Sequence, residues 1–268
     1  WNLPDDAKNR FVLLFVPGLF SGAYKGVVGY FRDNMKPFKK AGITTQMFDL
    51  NSFASVHKNS IRITERIRAI LSEEEHKNKQ VILVGHSKGG VDCITAISLP
   101  ENGLLPSKAV AGVICIQSPY AGSPFAKKIA FGQKLRGVRA VNDLNHVERR
   151  NFLELHPFDA KVSNIPIVCI ITEMTKAKGA LRNNIKRLQR QCGVNCDGLV
   201  VPEDAIIPDT QVVKLKDIDH ANTVFHRLRL ANPKHRYQPS NLTVAAFHLL
   251  LQSIDSTSTS TEISKSSI

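Results

Sequence analysis

The chain has 268 residues, enough for one α/β domain or two small ones at most. Its apolar content of 43 % supports a sizeable core. No apolar run approaches the roughly 20 residues of a membrane-spanning helix, so a soluble chain is expected. Lys plus Arg outnumber Asp plus Glu by 36 to 23, a formal charge of +13, which raises nucleic acid, an anionic membrane surface or an acidic substrate as partners.

The basic residues are dispersed along the chain, as at Lys36, Lys39 and Lys40, at Lys127 and Lys128, at Arg149 and Arg150, and at Lys186, Arg187 and Arg190. No zinc-finger, RNA-recognition or leucine-zipper pattern organises them. A solvated basic surface is therefore favoured and nucleic acid disfavoured. The chain opens on Trp1, not Met, and reads as a processed or excised piece. Its first residues therefore carry no information on compartment.

Taken in chain order, "RFVLLFVPG" (10–18) reads as a buried strand ended by a Pro-Gly break. A helical stretch follows around 22–40, interrupted by Pro37, and "ITTQMFDL" (43–50) alternates like a strand. "SIRITERIRAILSEEE" (60–75) is an amphipathic helix with Ile61, Ile63, Ile67, Ile70 and Leu71 on its apolar side. "VILVG" (81–85) is a buried strand and "GGVDCITAISL" (89–99) the helix after it. "AVAGVICIQSP" (109–119), "IPIVCIIT" (165–172) and "QVVKLKDI" (211–218) are the remaining strands, with helices from about 221 and near 241–254. Short, fully apolar strands separated by helices predict an α/β fold: a mainly parallel sheet of about six strands covered on both faces.

Two segments break this rhythm. Residues 120–164 hold no convincing strand but do hold helical material such as "HVERRNFLELH", and predict a short helical cap over a cleft. Its apolar and basic residues (Phe125, Ile129, Phe131, Leu135; Lys127, Lys128, Lys134, Arg136) suit acyl chains, a lipid surface or an ordinary amphipathic cap alike. Residues 255–268, "DSTSTSTEISKSSI", predict a disordered tail after a single domain spanning 1–254. Asn241-Leu-Thr fits a glycosylation sequon, but a cap on the last helix by Ser240 or Asn241 is the stronger reading. Five cysteines cannot all pair within one chain. Cys93, Cys115 and Cys169 read as core residues, and Cys192 and Cys196 as a local disulfide or two free thiols. No metal or cofactor is expected.

Chemistry concentrates in Gly85-His86-Ser87-Lys88-Gly89, a G-x-S-x-G run after one strand and before one helix. A serine at so sharp a turn needs small neighbours two residues to either side, and the helix N-terminus behind it favours developing negative charge. Lys88 is followed by Gly and not Ser or Thr, so a phosphate loop is excluded. The serine requires a base and an orienting carboxylate, in the chain order Ser, acid, His. His220, in "KDIDHANTVF", stands where a strand has ended and a helix begins, and is preferred over His226, His235 and His248. Asp197, in the Asp-Gly turn of "NCDGLVVPEDA", is the preferred acid, with Glu173 as runner-up. Asp217 and Asp219 read as solvated turn residues. The oxyanion donors are expected from the N–H of Lys88 and, in "VPGLFSG", from the N–H of Leu19.

"VILVGHSKGGVD" resembles the nucleophile elbow of lipases, "CIQSPYAGSPFA" the Ser-Pro turn and Gly-Ser of bacterial triacylglycerol lipases, "CDGLVVPEDA" their acid loop and "DIDHANTVF" their histidine loop. "LNHVERRNFLELHP" resembles a helix of lipase-like hydrolases. The chain thus resembles α/β-hydrolases of the lipase and esterase kind over residues 10 to about 225. The resemblance implies an α/β-hydrolase fold and hydrolysis of carboxylic, lipid-like or acyl esters through an acyl-enzyme on Ser87. Two departures stand out. Pro17-Gly18 replaces the His-Gly usual at the oxyanion loop, removing a supporting histidine. Lys88 after the serine suggests a cation favouring anionic substrates or the oxyanion. Competing readings are an acyltransferase or thioesterase with the same triad, a catalytically weak hydrolase-fold binding protein, and a basic nucleic-acid-binding protein. Peripheral contact with an anionic membrane surface is a further expectation.

Overall fold

The computed structural model describes residues 2–19, 29–48, 50–99, 105, 108–126, 139–158, 163–179, 181–225 and 238–265, the last with side chains to 256. The apolar runs become strands β1 (Phe11–Val16), β2 (Thr44–Met47), β3 (Gln80–His86), β4 (Val110–Ile116), β5 (Ile167–Glu173) and β6 (Gln211–Lys216). They form one sheet in the order β2-β1-β3-β4-β5-β6, and each neighbouring pair is parallel. Strands β1, β4 and β5 are buried along their whole length, as continuous apolar runs require in a sheet covered on both faces. The edge strands β2 and β6 are the partly exposed ones.

Alternation along β1 assigns the two layers. Phe11, Leu13 and Phe15 face a cluster with Met35 and Phe38 of α2 (Arg32–Lys40) and Phe247 and Leu250 of the long C-terminal helix. Val12, Leu14 and Val16 face Ile63, Ile67 and Ile70 of α3 (Val56–Ser72) and Cys93 and Ile94 of α4 (Lys88–Ser98). A short α1 (Ala7–Arg10) leads into β1. Between β4 and β5 lie α5 (Arg139–Asn142) and α6 (His146–Leu155); α7 (Arg182–Cys192) follows β5, and α8 (Pro239–Lys265) follows β6.

Several expectations are corrected. Helix α3 begins earlier than expected because Ser55 accepts the N–H of Lys58 at 3.2 Å and caps it. Helix α2 is not interrupted at Pro37 but runs through it, forgoing the hydrogen bond that proline cannot donate. Helix α8 starts at Pro239, so neither Ser240 nor Asn241 is its cap; proline has no N–H to lose in a first turn. Helix α8 also continues through Lys265, into the stretch expected to be disordered. Where that stretch begins, Asp255 pairs with Arg10 at 2.9 Å and Ser253 accepts from Gln211 at 2.8 Å, holding the helix against α1 and β6. All five cysteines are free thiols. No helix is long and apolar enough to cross a membrane among the described residues.

The expected insertion carries α5 and α6 among its described residues. Arg149 of α6 is its anchor: its Nε donates to the carbonyl of Tyr120 at 2.9 Å, and its guanidinium lies 5.8 Å and 4.9 Å from the ring centres of Tyr120 and Phe152. Burial lowers its pKa to about 10, so it keeps its charge at neutral pH. Of the cap residues singled out above, all but Phe125 lie outside the described residues.

Phe247 packs edge-on to Phe38 (ring centres 5.3 Å apart) and Phe11 (6.1 Å) and joins α8 to α2 and β1. Phe247→Ala is expected to cost about 3–5 kcal/mol in urea unfolding; a cost below about 1 kcal/mol would mean that α8 is not an integral part of the core.

Candidate active site

The turn from β3 to α4 is built from close approaches. A Cβ on Gly85 would sit 2.4 Å from Cα of Gly90, one on Gly89 2.2 Å from the carbonyl O of Val16, and one on Gly90 1.9 Å from Oγ of Ser118. Only glycines let the turn pack between β1 and β4 in this way. Ser87 at its apex has φ 55° and ψ −128°, a conformation costing a non-glycine residue on the order of 1–3 kcal/mol. Its N–H donates to Ile116 O at 2.9 Å, holding it beside the end of β4. Lys88 is the first residue of α4, so its N–H belongs to the first turn, whose amides lack partners within the helix. The loop after β1 lies directly over the serine, with a Cβ on Gly18 only 2.8 Å from Cβ of Ser87. Leu19 packs its side chain against Val56, Val91, Ala126, Val141 and Leu144, which carries the loop to the insertion.

Asp197 and His220 meet: His220 Nδ1 donates to Asp197 Oδ2 at 2.7 Å, and the His220 N–H donates to Asp197 O at 2.9 Å. Both are buried, 1 % and 4 % exposed. The other carboxylate oxygen accepts the N–H groups of Leu199 (2.9 Å) and Val200 (2.7 Å). Three hydrogen bonds hold the carboxylate in place, and with Nδ1 donating to it His220 Nε2 is left as an acceptor. The acid loop is tied to β5 by the Met174 N–H to Cys196 O bond of 3.0 Å, and Gly198 turns it at φ 106°.

The other candidates lie elsewhere. Glu173 pairs with Lys214 at 3.0 Å, which removes it as an acid for His220. Asp217 accepts from Thr175 N (3.1 Å) and Oγ1 (2.6 Å) and is exposed, as expected. Asp219 is not solvated; it is buried and accepts the N–H groups of Ala221 (3.0 Å) and Asn222 (2.9 Å), shaping the His220 loop, and burial raises its pKa. His248 lies on α8, and His226 and His235 fall outside the described residues.

Lys88 requires the main correction. Its side chain is 1 % exposed and its Nζ lies 2.8 Å from both oxygens of Asp92, which also accepts from Asn59 Nδ2 at 2.9 Å. The charge is spent inside the α3–α4 interface and does not face a substrate. Breaking one side of such a pair leaves a buried charge alone. Lys88→Met is therefore expected to cost about 3–5 kcal/mol in urea unfolding, and Lys88→Met with Asp92→Leu markedly less. Equal losses in both would show that the pair is not the stabilising unit.

Sequence reasoning missed four residues: Tyr30, His86, Gln117 and Thr223. Tyr30 Oη accepts the Gly18 N–H at 2.8 Å and lies 2.6 Å from His86 Nδ1. His86 Nε2 lies 3.1 Å from His220 O and 3.3 Å from Gln117 Oε1, which accepts from Thr223 Oγ1 at 2.6 Å. The one available signal was a polar residue, His86 or Gln117, closing an apolar strand. Burial, and then the neighbouring His220, hold His86 well below its ordinary pKa of 6.5, so the native ring stays neutral where an unfolded one protonates. The unfolded chain then binds the extra proton, and stability falls as pH drops below about 6.5 by up to roughly 1.4 kcal/mol per pH unit. A pH series of melting or urea curves is expected to show this fall in the parent and a shallower one in His86→Gln.

The sequence matches the PGAP1-like alpha/beta domain family over residues 52–178. No curated protein sequence matches the chain significantly. Among solved structures, a metagenomic carboxyl esterase superposes with a TM-score of 0.73 at 22 % identity, over 89 % of this chain and 75 % of that one. The mature form of a Bacillus licheniformis lipase gives 0.63 at 24 % identity, over 81 % of this chain and 87 % of that one. A phospholipase from Legionella pneumophila gives 0.63 at 11 % identity, over 96 % of this chain and 65 % of that one.

Proposed function

We propose that this chain, whose fold is that of the α/β-hydrolases, is a serine hydrolase of carboxylic esters. One observation carries the reading: a buried Asp197–His220 pair, hydrogen bonded at 2.7 Å, whose imidazole packs at a tilt with its ring centre 4.6 Å from that of His86, the residue before a serine on a strained strand-to-helix turn. Ser87 Oγ attacks the ester carbonyl while its proton passes to His220 Nε2. The imidazolium formed is stabilised by the Asp197 carboxylate. The N–H groups of Leu19 and Lys88 receive the negative oxygen. Collapse expels the alkoxide, which takes the proton from His220 and leaves as alcohol. Water, deprotonated by the same nitrogen, then attacks the acyl-enzyme; the acid departs and the proton returns to Ser87.

A lipid-like ester is the substrate class we favour. Val147 and Leu155 project from α6 at 66 % and 76 % exposure, with Arg150 on the same helix, a combination suited to an anionic lipid surface.

The test is hydrolysis of p-nitrophenyl esters from acetate to palmitate, in solution and on anionic phospholipid vesicles, by the parent, Ser87→Ala and Asp197→Asn. Turnover is expected to fall by about 10⁴-fold or more in either variant. Long chains presented on vesicles are expected to be preferred. A parent that neither turns over any ester nor reacts at Ser87 with a fluorophosphonate would sink the reading.

A further inference from the structure

We propose that Tyr30 and His86 are positioning residues: together they form a one-directional hydrogen-bond relay that joins the oxyanion loop to the loop carrying His220. This rests on the hydrolase reading above. The relay's ends are fixed by elementary chemistry. The Gly18 amide can only donate, and it donates to Tyr30 Oη at 2.8 Å. The His220 carbonyl can only accept, and it lies 3.1 Å from His86 Nε2. Between them, Tyr30 Oη and His86 Nδ1 are 2.6 Å apart. A phenol oxygen that accepts from Gly18 has one proton to give, and Nδ1 receives it only if bare. The imidazole proton must then sit on Nε2, where both neighbours, His220 O and Gln117 Oε1, are acceptors. With both groups neutral, the three bonds admit one arrangement, in which the phenol donates to Nδ1 and the imidazole carries its proton on Nε2.

The surroundings enforce this state. His86 is 2 % and Tyr30 9 % exposed, so water does not replace a lost partner. Burial raises the Tyr30 pKa, keeping the phenol protonated, and lowers that of His86. Phe225 packs edge-on to Tyr30 with ring centres 4.5 Å apart and pairs with it in an antiparallel bridge.

The relay supplies what Pro17 takes away. The usual loop histidine is absent, and Tyr30 holds the loop from below through Gly18. The Gly18 N–H is thereby spent, so the oxyanion meets the next amide, that of Leu19. Because Gly18 lies against Ser87, the Tyr30 bond also sets the spacing between the oxyanion loop and the nucleophile.

Tyr30→Phe, His86→Gln and His86→Phe test this. With a p-nitrophenyl ester, kcat is expected to fall roughly tenfold to a hundredfold in Tyr30→Phe and His86→Phe, with KM nearly unchanged. An alkyl boronic acid, which mimics the tetrahedral adduct, is expected to lose affinity in step, while an unreactive ether analogue of the substrate is not. Glutamine keeps an N–H for the His220 carbonyl, so His86→Gln is expected to recover part of the loss seen in His86→Phe. Nitrogen-15 NMR of the parent is expected to report His86 as the neutral Nε2–H tautomer. Tyr30→Phe is expected to mix the tautomers and speed exchange of the Gly18 amide. An Nδ1–H tautomer in the parent overturns the relay. So does Tyr30→Phe with native unfolding behaviour and unchanged kcat and boronate affinity. An inactive parent counts against hydrolysis alone, and the NMR result then decides the relay by itself.

Discussion

The structure depends on how closely the β3–α4 turn approaches its neighbours. The carbonyl O of Val16 lies 2.2 Å from where a Cβ on Gly89 would be, and Oγ of Ser118 1.9 Å from one on Gly90. Any side chain at either position would push the turn off the sheet. Glycine at these sites therefore lets β1, β3 and β4 bring their carboxyl ends to one place. The positive φ of Ser87 follows from the same crowding, because the chain must reverse into α4 within one residue. Its strain is sustained by the buried strands on either side, whose packing holds far more free energy than the turn costs.

Around this turn, buried polar side chains gather into hydrogen-bonded sets. The Lys88–Asp92–Asn59 set fastens α4 to α3 beneath the serine. The Tyr30–His86 set fastens the loop after β1 to the loop after β6. The Asp197–His220 set fastens the loop after α7 to that same loop after β6. Hydrophobic packing builds the sheet, and these sets choose one arrangement of the loops above it.

Much of this was legible in the sequence. The apolar runs gave the six strands because each is buried on both faces or at a sheet edge. G-x-S-x-G gave the elbow because the steric demand on its glycines is local. Asp197 and His220 were legible from chain order and from their places after strands, and the structure brings them together. The supports were not legible. Tyr30 and His86 are 56 residues apart and Gln117 and Thr223 106 apart, so nothing local in the chain announces either contact. Lys88 misled for a related reason: its position beside Ser87 suggested the cleft, whereas its partner lies one helical turn onward. The course of α8 past Ile254 was hidden as well, because Ser and Thr are poor helix formers and the contacts of Asp255 and Ser253 are made with distant elements.

The strand order has a consequence for when the site comes into being. Ser87, Asp197 and His220 come from the third strand, the stretch after the fifth and the stretch after the sixth, and α8 must then close one face of the sheet. A chain emerging from the ribosome holds the Ser87 turn long before it holds His220. The pairing of β3 with β1 spans α2, β2 and α3, and all of its residues are made before β5 and β6. Assembly of such a sheet relies on contacts far apart in sequence and is intrinsically slow. The three residues proposed for catalysis therefore meet only in a chain whose sheet is complete.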